Sequence, residues 1–352
     1  MSGASYRRVE FTQRGEDFQN ELRIAEAAIP ESTAGHIVVK VHSASINPVD
    51  AKIKARMGRW DVFEGEVFLA GYDFSGVVSS VAAKEDRFAV GDQVFGCNWG
   101  WGNHGLKSDN FPRGGAFGEY MLVPLGCVSR KPAAVSHAEA AAVALVGITA
   151  WEALDKGQVG TDTRLLVLGG ATAVGTQAVQ LAKLRGAWVA ATASSRNVDY
   201  VKGLGADRVI NYQTEQWWAD EALKPTVIMD AIGSEDTIIA KAKAVLPAGG
   251  SFVSICGWTD AGTDPAAHPP LRYAASFVLS RSSDTQDKLA GLLAEGRLRV
   301  PIDQRFPFTH DGVVGLYQKI HEGKSVGKNV LDIAARASDG NSAAPSGDDT
   351  CA

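Results

Sequence analysis

The sequence predicts an α/β protein in which a doubly wound parallel sheet is joined to a mostly β part. From about residue 132 onward, short apolar runs alternate with helix-period segments. Strand–helix alternation at that spacing builds a parallel sheet covered on both faces. The opening third behaves differently: apolar runs alternate with Gly, Asp and Pro clusters, and no helix-period segment of any length precedes residue 136. Glycine is abundant, at 38 of 352 residues, and much of it separates short apolar runs, as tight turns between strands require.

In chain order, 36–46 (HIVVKVHSASI), 73–82 and 92–96 read as strands. The pattern changes at Pro132. Ser136 followed three residues on by Glu139 forms a capping box that opens an Ala-rich helix. Strand 164–168 comes next, then a turn of small residues and a helix over 174–185, in which Val174, Ala178, Leu181 and Leu184 recur at helical spacing. Strands at 187–192, 208–210, 226–230 and 251–255 and helices near 197–203 and 235–246 continue the alternation. An amphipathic helix over 284–296, a strand segment within 297–308, a helix over 310–322 and a strand over 327–333 end the fold. This last stretch is too short to fold alone and is expected to return to the first part. The expected organisation is therefore 132–275 as one domain and 1–131 with 276–334 as the other. Residues 335–352 are small and polar with Pro and Gly, and are expected to be disordered.

Composition excludes several classes. Lys plus Arg is 35 and Asp plus Glu 40, a net charge of -5, so the chain lacks the basic field that nucleic-acid binding needs. No apolar run is long enough to span a bilayer. Cys97, Cys127, Cys256 and Cys351 are far apart, which argues against a disulfide framework and a Cys-rich zinc lobe. The start, MSGASYRRVEF, lacks an apolar signal segment, and a cytoplasmic, reducing setting is expected.

The most informative segment is LLVLGGATAVGTQAV (165–179). A turn of small residues between a buried strand and a helix is where a dinucleotide pyrophosphate binds: the backbone approaches closely, and the helix N-terminus offers N–H groups and partial positive charge. Gly170, Ala171, Thr172, Ala173 and Val174 are the expected pyrophosphate residues. Thr172 and Ala173 stand where glycine is common, so the GxGxxG spacing is not intact. The end of the second strand distinguishes cofactors. An NAD site carries an acid about 20 residues past the turn; here the sequence is Ser194-Ser195-Arg196, and the next acid is Asp199. Two hydroxyls and a guanidinium suit a 2′-phosphate, so NADPH is expected rather than NADH.

Further motifs bring in a family. SINPVDAKI (45–53), AGYDFSGVV (70–78), VGDQVFG (90–96), GGAFGEYMLVP (114–124), LVGITAWEAL (145–154), LGADRVINY (204–212) and VGKNVLDI (326–333) occur in order around the 165–186 turn region. With these motifs the chain resembles the medium-chain dehydrogenases/reductases, and among them the zinc-independent quinone oxidoreductases that include zeta-crystallin. The resemblance covers about residues 20–334. It implies a Rossmann nucleotide-binding domain and a GroES-like catalytic domain, with a homodimer as the assembly. The family's alcohol dehydrogenases hold zinc through a Cys near the first motif and the His of a GHE motif. Here Asn47 stands in the first place and Tyr72, followed by Asp73, in the second; an amide and a phenol are poor zinc ligands, and no metal is expected.

The resemblance further implies that Asn47 lies near the nicotinamide, that Thr149 contacts cofactor in the cleft and that Tyr212 packs at the adenosine phosphate end. Bland alternatives exist: Asn47 before Pro48 as a turn residue, Thr149 as an ordinary helix residue, Tyr212 as a strand end. Ile255 and Gly257 fall at a strand's C-terminal edge, where cofactor sits in such sheets. Lys328 either approaches the cofactor cleft or is solvated. Mitochondrial enoyl-thioester reductases use a Tyr after the NPxD motif as proton donor, but here 54–60 reads KARMGRW. Water, Tyr72 and Tyr120 remain as proton sources. Trp99, Trp101 and His104 lie in an aromatic loop, which either covers a flat acceptor or simply packs. The expected activity is reduction of a quinone or an activated C=C bond by hydride from NADPH, with Asn47 and Tyr72 as candidate catalytic residues. The alternatives are an enoyl-thioester or enone reductase serving a synthase, and a non-catalytic NADPH-binding sensor or structural protein.

Overall fold

The structure is a computed structural model that describes residues 4–11, 15–56, 68–83, 85–99, 115–233, 238–256, 262–280 and 282–334. The first part runs β1 (Ser5–Phe11), one helical turn α1 (Phe18–Glu21), β2 (Leu22–Ala28), β3 (His36–Ile46), α2 (Pro48–Arg56), β4 (Phe68–Leu69), β5 (Asp73–Val81), β6 (Gln93–Cys97), β7 (Tyr120–Pro124) and β8 (Val128–Arg130). It continues with α3 (His137–Lys156), β9 (Arg164–Leu168), α4 (Ala173–Leu184), β10 (Trp188–Ala193), α5 (Val198–Gly203), β11 (Arg208–Asn211), β12 (Val227–Asp230), α6 (Ile238–Val245), β13 (Ser251–Ser254) and β14 (Tyr273–Ser276). The chain returns through α7 (Ser283–Ala294), β15 (Ile302–Pro307), α8 (His310–His321) and β16 (Lys328–Asp332).

Strands β9 to β14 form one six-stranded sheet in the order β11-β10-β9-β12-β13-β14, every pair parallel. Counted from β9, that is the 3-2-1-4-5-6 order of a doubly wound dinucleotide fold. Its strands are buried on both faces: Leu165, Leu166, Val167, Val189, Ile228, Phe252 and Val253 are inaccessible to solvent. The order reverses between β9 and β12, and a crevice opens at such a switch point beyond the strands' C-terminal ends. The turn at 169–175 lies there.

The other large sheet has the order β15-β16-β3-β5-β6-β8, with β7 on β3 as well. Strand β3 serves three partners. Its first half pairs with β7, its last four residues with β16, and β5 runs along it with the register stepping past His42. The extra residue bends the strand and lets it change partners. The C-terminal segment does return to the opening part, since β16 pairs antiparallel with β3. A small third sheet, β2-β1-β4, packs alongside.

Helix α3 joins the two large sheets. It opens with the expected capping box, in which Ser136 accepts the Glu139 N–H and the Glu139 carboxylate accepts the Ser136 N–H. Fourteen of its residues are buried, so it is apolar all round and must be enclosed. It packs on β3, β5, β6 and β16 on one side and on α4 and α7 on the other.

Helix α2 departs from the expectation of no helix before residue 136. Nine residues beginning with Pro are too few to display an apolar stripe. Pro48 at the first helical position and the Asp50 side chain, which accepts the Asn47 N–H at 2.7 Å, start it instead. A smaller correction concerns Leu184, which keeps the helical spacing of α4 but is 38% exposed, so the apolar face ends a turn earlier. Gly257, Trp101, His104 and the 335–352 tail lie outside the described residues.

Candidate functional site

The turn after β9 is built by three glycines and a threonine. Gly169 has a positive φ of 89°, which an L side chain resists. A Cβ on Gly170 would come within 2.8 Å of the Ala191 methyl, and one on Gly175 would overlap the Gly169 carbonyl oxygen. Thr172 caps α4: its hydroxyl donates to the Gly169 carbonyl at 2.8 Å and accepts the Gly175 N–H at 3.0 Å. The Gly169 and Gly170 N–H groups are taken by the Thr192 hydroxyl and carbonyl, both at 2.8 Å. The backbone N–H groups of Ala171, Ala173 and Val174 have no acceptor among the described residues. Donors of this kind at a helix N-terminus are what an anion binds. A dinucleotide pyrophosphate therefore fits here. Gly170 contributes its lack of a side chain, not its N–H.

Beyond β10 and β11 lie the residues expected at the 2′-phosphate. Ser194 starts a 3₁₀ turn but makes no side-chain cap, so it is not a helix cap. Ser195 accepts from the Asn211 amide at 2.8 Å, and its own N–H goes to Gln213. Arg196 is exposed yet tethered, donating to the Lys324 carbonyl at 2.9 Å on the segment between α8 and β16. Tyr212 follows β11 with 55% of its surface exposed, its N–H bound to the Ala193 carbonyl. These four residues share the C-terminal end of two adjacent strands.

The deeper part of the site is a buried charge network. Asp73 is wholly inaccessible, and both of its carboxylate oxygens accept hydrogen bonds. Oδ2 takes them from Ser45 at 3.0 Å, the Asn47 amide at 2.8 Å and the Lys328 ammonium at 3.1 Å, and Oδ1 takes the Leu145 N–H at 3.0 Å. Lys328, only 2% exposed, also donates to Asn47 Oδ1 at 2.6 Å and the Ile46 carbonyl at 2.8 Å. The solvated alternative for Lys328 therefore does not hold. Asn47 is held with its carbonyl toward the ammonium and its amide nitrogen toward the carboxylate.

Asp50 sits beside this network, and burial is the main force pushing its carboxyl up to about 7; the Asp73 charge adds to it, and the Asn47 N–H and Lys328 oppose it. Tyr72 is buried edge-on to Trp99 with ring centroids 4.9 Å apart, and burial holds its phenol well above the ordinary range. Thr149, buried in α3, donates to the Leu145 carbonyl one turn back.

Across the crevice, Ile255 and Cys256 follow β13. Burial raises the Cys256 thiol to about 12, against the pull of the Lys52 ammonium. Lys52 is an exposed residue of α2, so its charge reaches the end of β13 from the other sheet's side. Sequence reasoning passed over Asp50, Lys52 and Lys324 and named Asp73 only as the neighbour of Tyr72 in the second motif. The acid three residues after Asn47 was the one available signal.

Residues 33–133 match the family described as Alcohol dehydrogenase GroES-like domain, and residues 204–331 the family described as Zinc-binding dehydrogenase. The 2-methylene-furan-3-one reductase of Solanum lycopersicum is 33% identical over 310 residues, 87% of this chain and 74% of that one. The chloroplastic NADPH-dependent alkenal/one oxidoreductase of Arabidopsis thaliana is 32% identical over 307 residues, 86% of this chain and 73% of that one. Among solved structures, the quinone oxidoreductase from Coxiella burnetii aligns with a TM-score of 0.78 at 26% identity, over 94% of this chain and 100% of that one. The chain belongs to the medium-chain dehydrogenase/reductase family, in its quinone and alkenal oxidoreductase branch. It is an oxidoreductase of the NAD(P)-dependent type. The zinc of the family's alcohol dehydrogenases does not fit these residues: an amide, Asn47, and a phenol, Tyr72, replace thiolate and imidazole, and the Asn47 carbonyl already accepts from the Lys328 ammonium.

Two outcomes follow for stability. Lys328→Met or Asp73→Asn alone should cost about 3–5 kcal/mol, because each strands a buried partner, while Asp73→Leu with Lys328→Met should recover part of the loss; urea denaturation of the single and double variants measures this. For Asp50, the folded value near 7 lies above the unfolded aspartate value of about 4. The folded state binds the extra proton between those values, so stability falls as pH rises through that window. Between pH 5 and 8 the wild type should lose about 2–3 kcal/mol relative to Asp50→Asn, read from urea midpoints at both pH values.

Proposed function

We propose that the protein reduces C=C bonds conjugated to a carbonyl, and quinones, using NADPH. The observation that carries this reading is the Lys328 ammonium held between Asn47 and Asp73. With that ammonium bonded to an amide and a carboxylate, the site suits an acceptor that holds the developing charge through its own conjugation. The two relatives named above for alkenal/one and methylene-furanone reduction support the same class of acceptor.

NADPH supplies the hydride when bound; the chain's residues orient and bind. Ala171, Ala173 and Val174 offer N–H groups to the pyrophosphate, with Gly170 and Thr172 shaping the turn. Ser194, Ser195 and Arg196 take the 2′-phosphate, Arg196 through the guanidinium nitrogens not used by the Lys324 carbonyl, and Tyr212 covers the adenosine end. Asn47, Thr149, Ile255 and the Lys328 network border the nicotinamide end. Lys52 faces the acceptor, where its charge stabilises the enolate oxygen that hydride addition creates. The division into 1–131 with 276–334 and 132–275 places this cleft between two domains. A cytoplasmic homodimer belongs to the same reading; among the described residues β14 leaves one edge of the parallel sheet unpaired, beside the exposed Val278.

The test is oxidation of NADPH and NADH by the purified protein with enones, quinones and enoyl thioesters. Enone and quinone turnover with NADPH is expected. Turnover of thioesters alone would move the protein to the synthase-serving alternative, and cofactor binding without turnover to the sensor. Arg196→Ala should raise the KM for NADPH at least tenfold and leave NADH unchanged; equal effects on both would contradict the 2′-phosphate assignment. Lys52→Met should lower kcat/KM for enones by about 100-fold with the KM for NADPH unaltered.

A further inference from the structure

We propose that Asp50, Tyr72 and Tyr317 form a buried proton-holding site beneath Asn47, and that this site supplies the proton that completes reduction of the acceptor. The inference rests on the reductase reading above and extends it to the second half of the reaction.

Among the described residues, three buried polar atoms of this region make no hydrogen bond: Asp50 Oδ1, Tyr72 Oη and Tyr317 Oη. Their residues are 1%, 1% and 0% exposed. Buried polar groups are almost always paired, and an unpaired group invites a functional explanation. The surroundings offer no substitute for water. Tyr317, on α8, stacks on Phe18 at 4.9 Å and meets Phe11 and Phe117 edge-on at 5.6 and 6.2 Å. Gly71, next to Tyr72, lies so close to the Phe117 ring that a Cβ there would overlap it, and α8 packs on α2, which carries Asp50. Burial, and after it the Asp50 charge, pushes both phenols well above their ordinary range, so the carboxyl and the two phenols are electrostatic neighbours.

The carboxyl's geometry fixes where its proton sits. Oδ2 accepts the Asn47 N–H at 2.7 Å, so the neutral acid carries its hydrogen on Oδ1, the atom without a partner. Among the described residues Oδ1 is not hydrogen-bonded to either phenol, so the proton passes when a water or a small side-chain movement closes that gap, and the phenol can then pass its own proton on. The charged and titratable groups around Asp50 are Asp73 from β5, Lys328 from β16, Tyr72 before β5 and Tyr317 from α8. An acid that titrates near neutrality is both loaded and readily reloaded.

The step balances as follows. The acceptor's β-carbon gains hydride as the nicotinamide C4–H bond breaks, and the π pair shifts to leave an enolate. The α-carbon then forms a C–H bond with a proton passed from Tyr72, which recovers one from Asp50. The Asp50 carboxylate is reprotonated from solvent. No further oxidant or reductant is needed.

Asp50→Asn keeps an acceptor for the Asn47 N–H and removes the proton. Infrared difference spectra taken during a pH titration should show a carboxyl band in the wild type that disappears with a midpoint near 7, and no such band in Asp50→Asn. Wild-type kcat should fall toward tenfold per pH unit above 7, whereas Asp50→Asn should be slower and flat, with the KM for NADPH unchanged. Tyr317→Phe should shift the midpoint of the carboxyl band and lower kcat. A wild type without a carboxyl titrating between pH 6 and 8 would overturn the proposal, as would pH profiles of wild type and Asp50→Asn that superimpose. If the wild type turns over no acceptor, the reductase reading fails, and the infrared titration still decides whether the proton-holding site exists.

Discussion

One buried carboxylate organises this molecule. Asp73 has no solvent to stabilise its charge, so every oxygen lone pair in use is served by the protein. Its donors come from β3, from the turn before α2, from α3 and from β16, the last of them 255 residues away in sequence. A charge so placed is tolerated only when its partners are complete. The return of the C-terminal segment therefore does more than close a sheet: it delivers a cation to Asp73.

The same carboxylate reaches into α3. In a regular helix the Leu145 N–H would bond to the Ala141 carbonyl. Here Asp73 accepts that N–H, and the Ser45 hydroxyl donates to the Ala141 carbonyl at 3.0 Å as well as to Asp73. Side chains of the mostly β part thereby bond to two backbone groups of the helix that also packs on α4. Helix α4 begins at the glycine turn, so the buried network and the phosphate turn are linked through a single enclosed element. Arg196 adds a second tie between the two sheets' sides through the Lys324 carbonyl.

Much of this was legible in the sequence, and for definable reasons. The alternation from 164 to 254 reads directly because buried parallel strands are continuous apolar runs separated by turn residues. The phosphate turn reads from its small residues even with GxGxxG broken, because the turn needs glycine only where φ is positive or a backbone comes close. Gly169 and Gly175 meet those conditions, while Thr172 and Ala173 stand where a cap and a first-turn donor suffice. Helix α2 was not legible, since nine residues starting at Pro48 carry no periodic stripe. Nor was the burial of Lys328: a lysine beside Gly327 at a strand start looks solvent-bound until its partners are known.

The strand–helix alternation from 164 to 254, the doubly wound sheet, the family and the small-residue turn were determined by the sequence alone, because each depends on local pattern: strand and helix period, capping, turn chemistry. Which charges meet was decided only by tertiary structure. Asn47, Asp50, Tyr72, Asp73, Tyr317 and Lys328 are scattered over most of the chain, and nothing local marks them as neighbours. Burial then changes their chemistry, raising Asp50 to about 7 and leaving two phenols without partners. Those properties come from the dielectric surroundings and the company of each group, which exist only once β16 has paired with β3 and α8 has closed over α2.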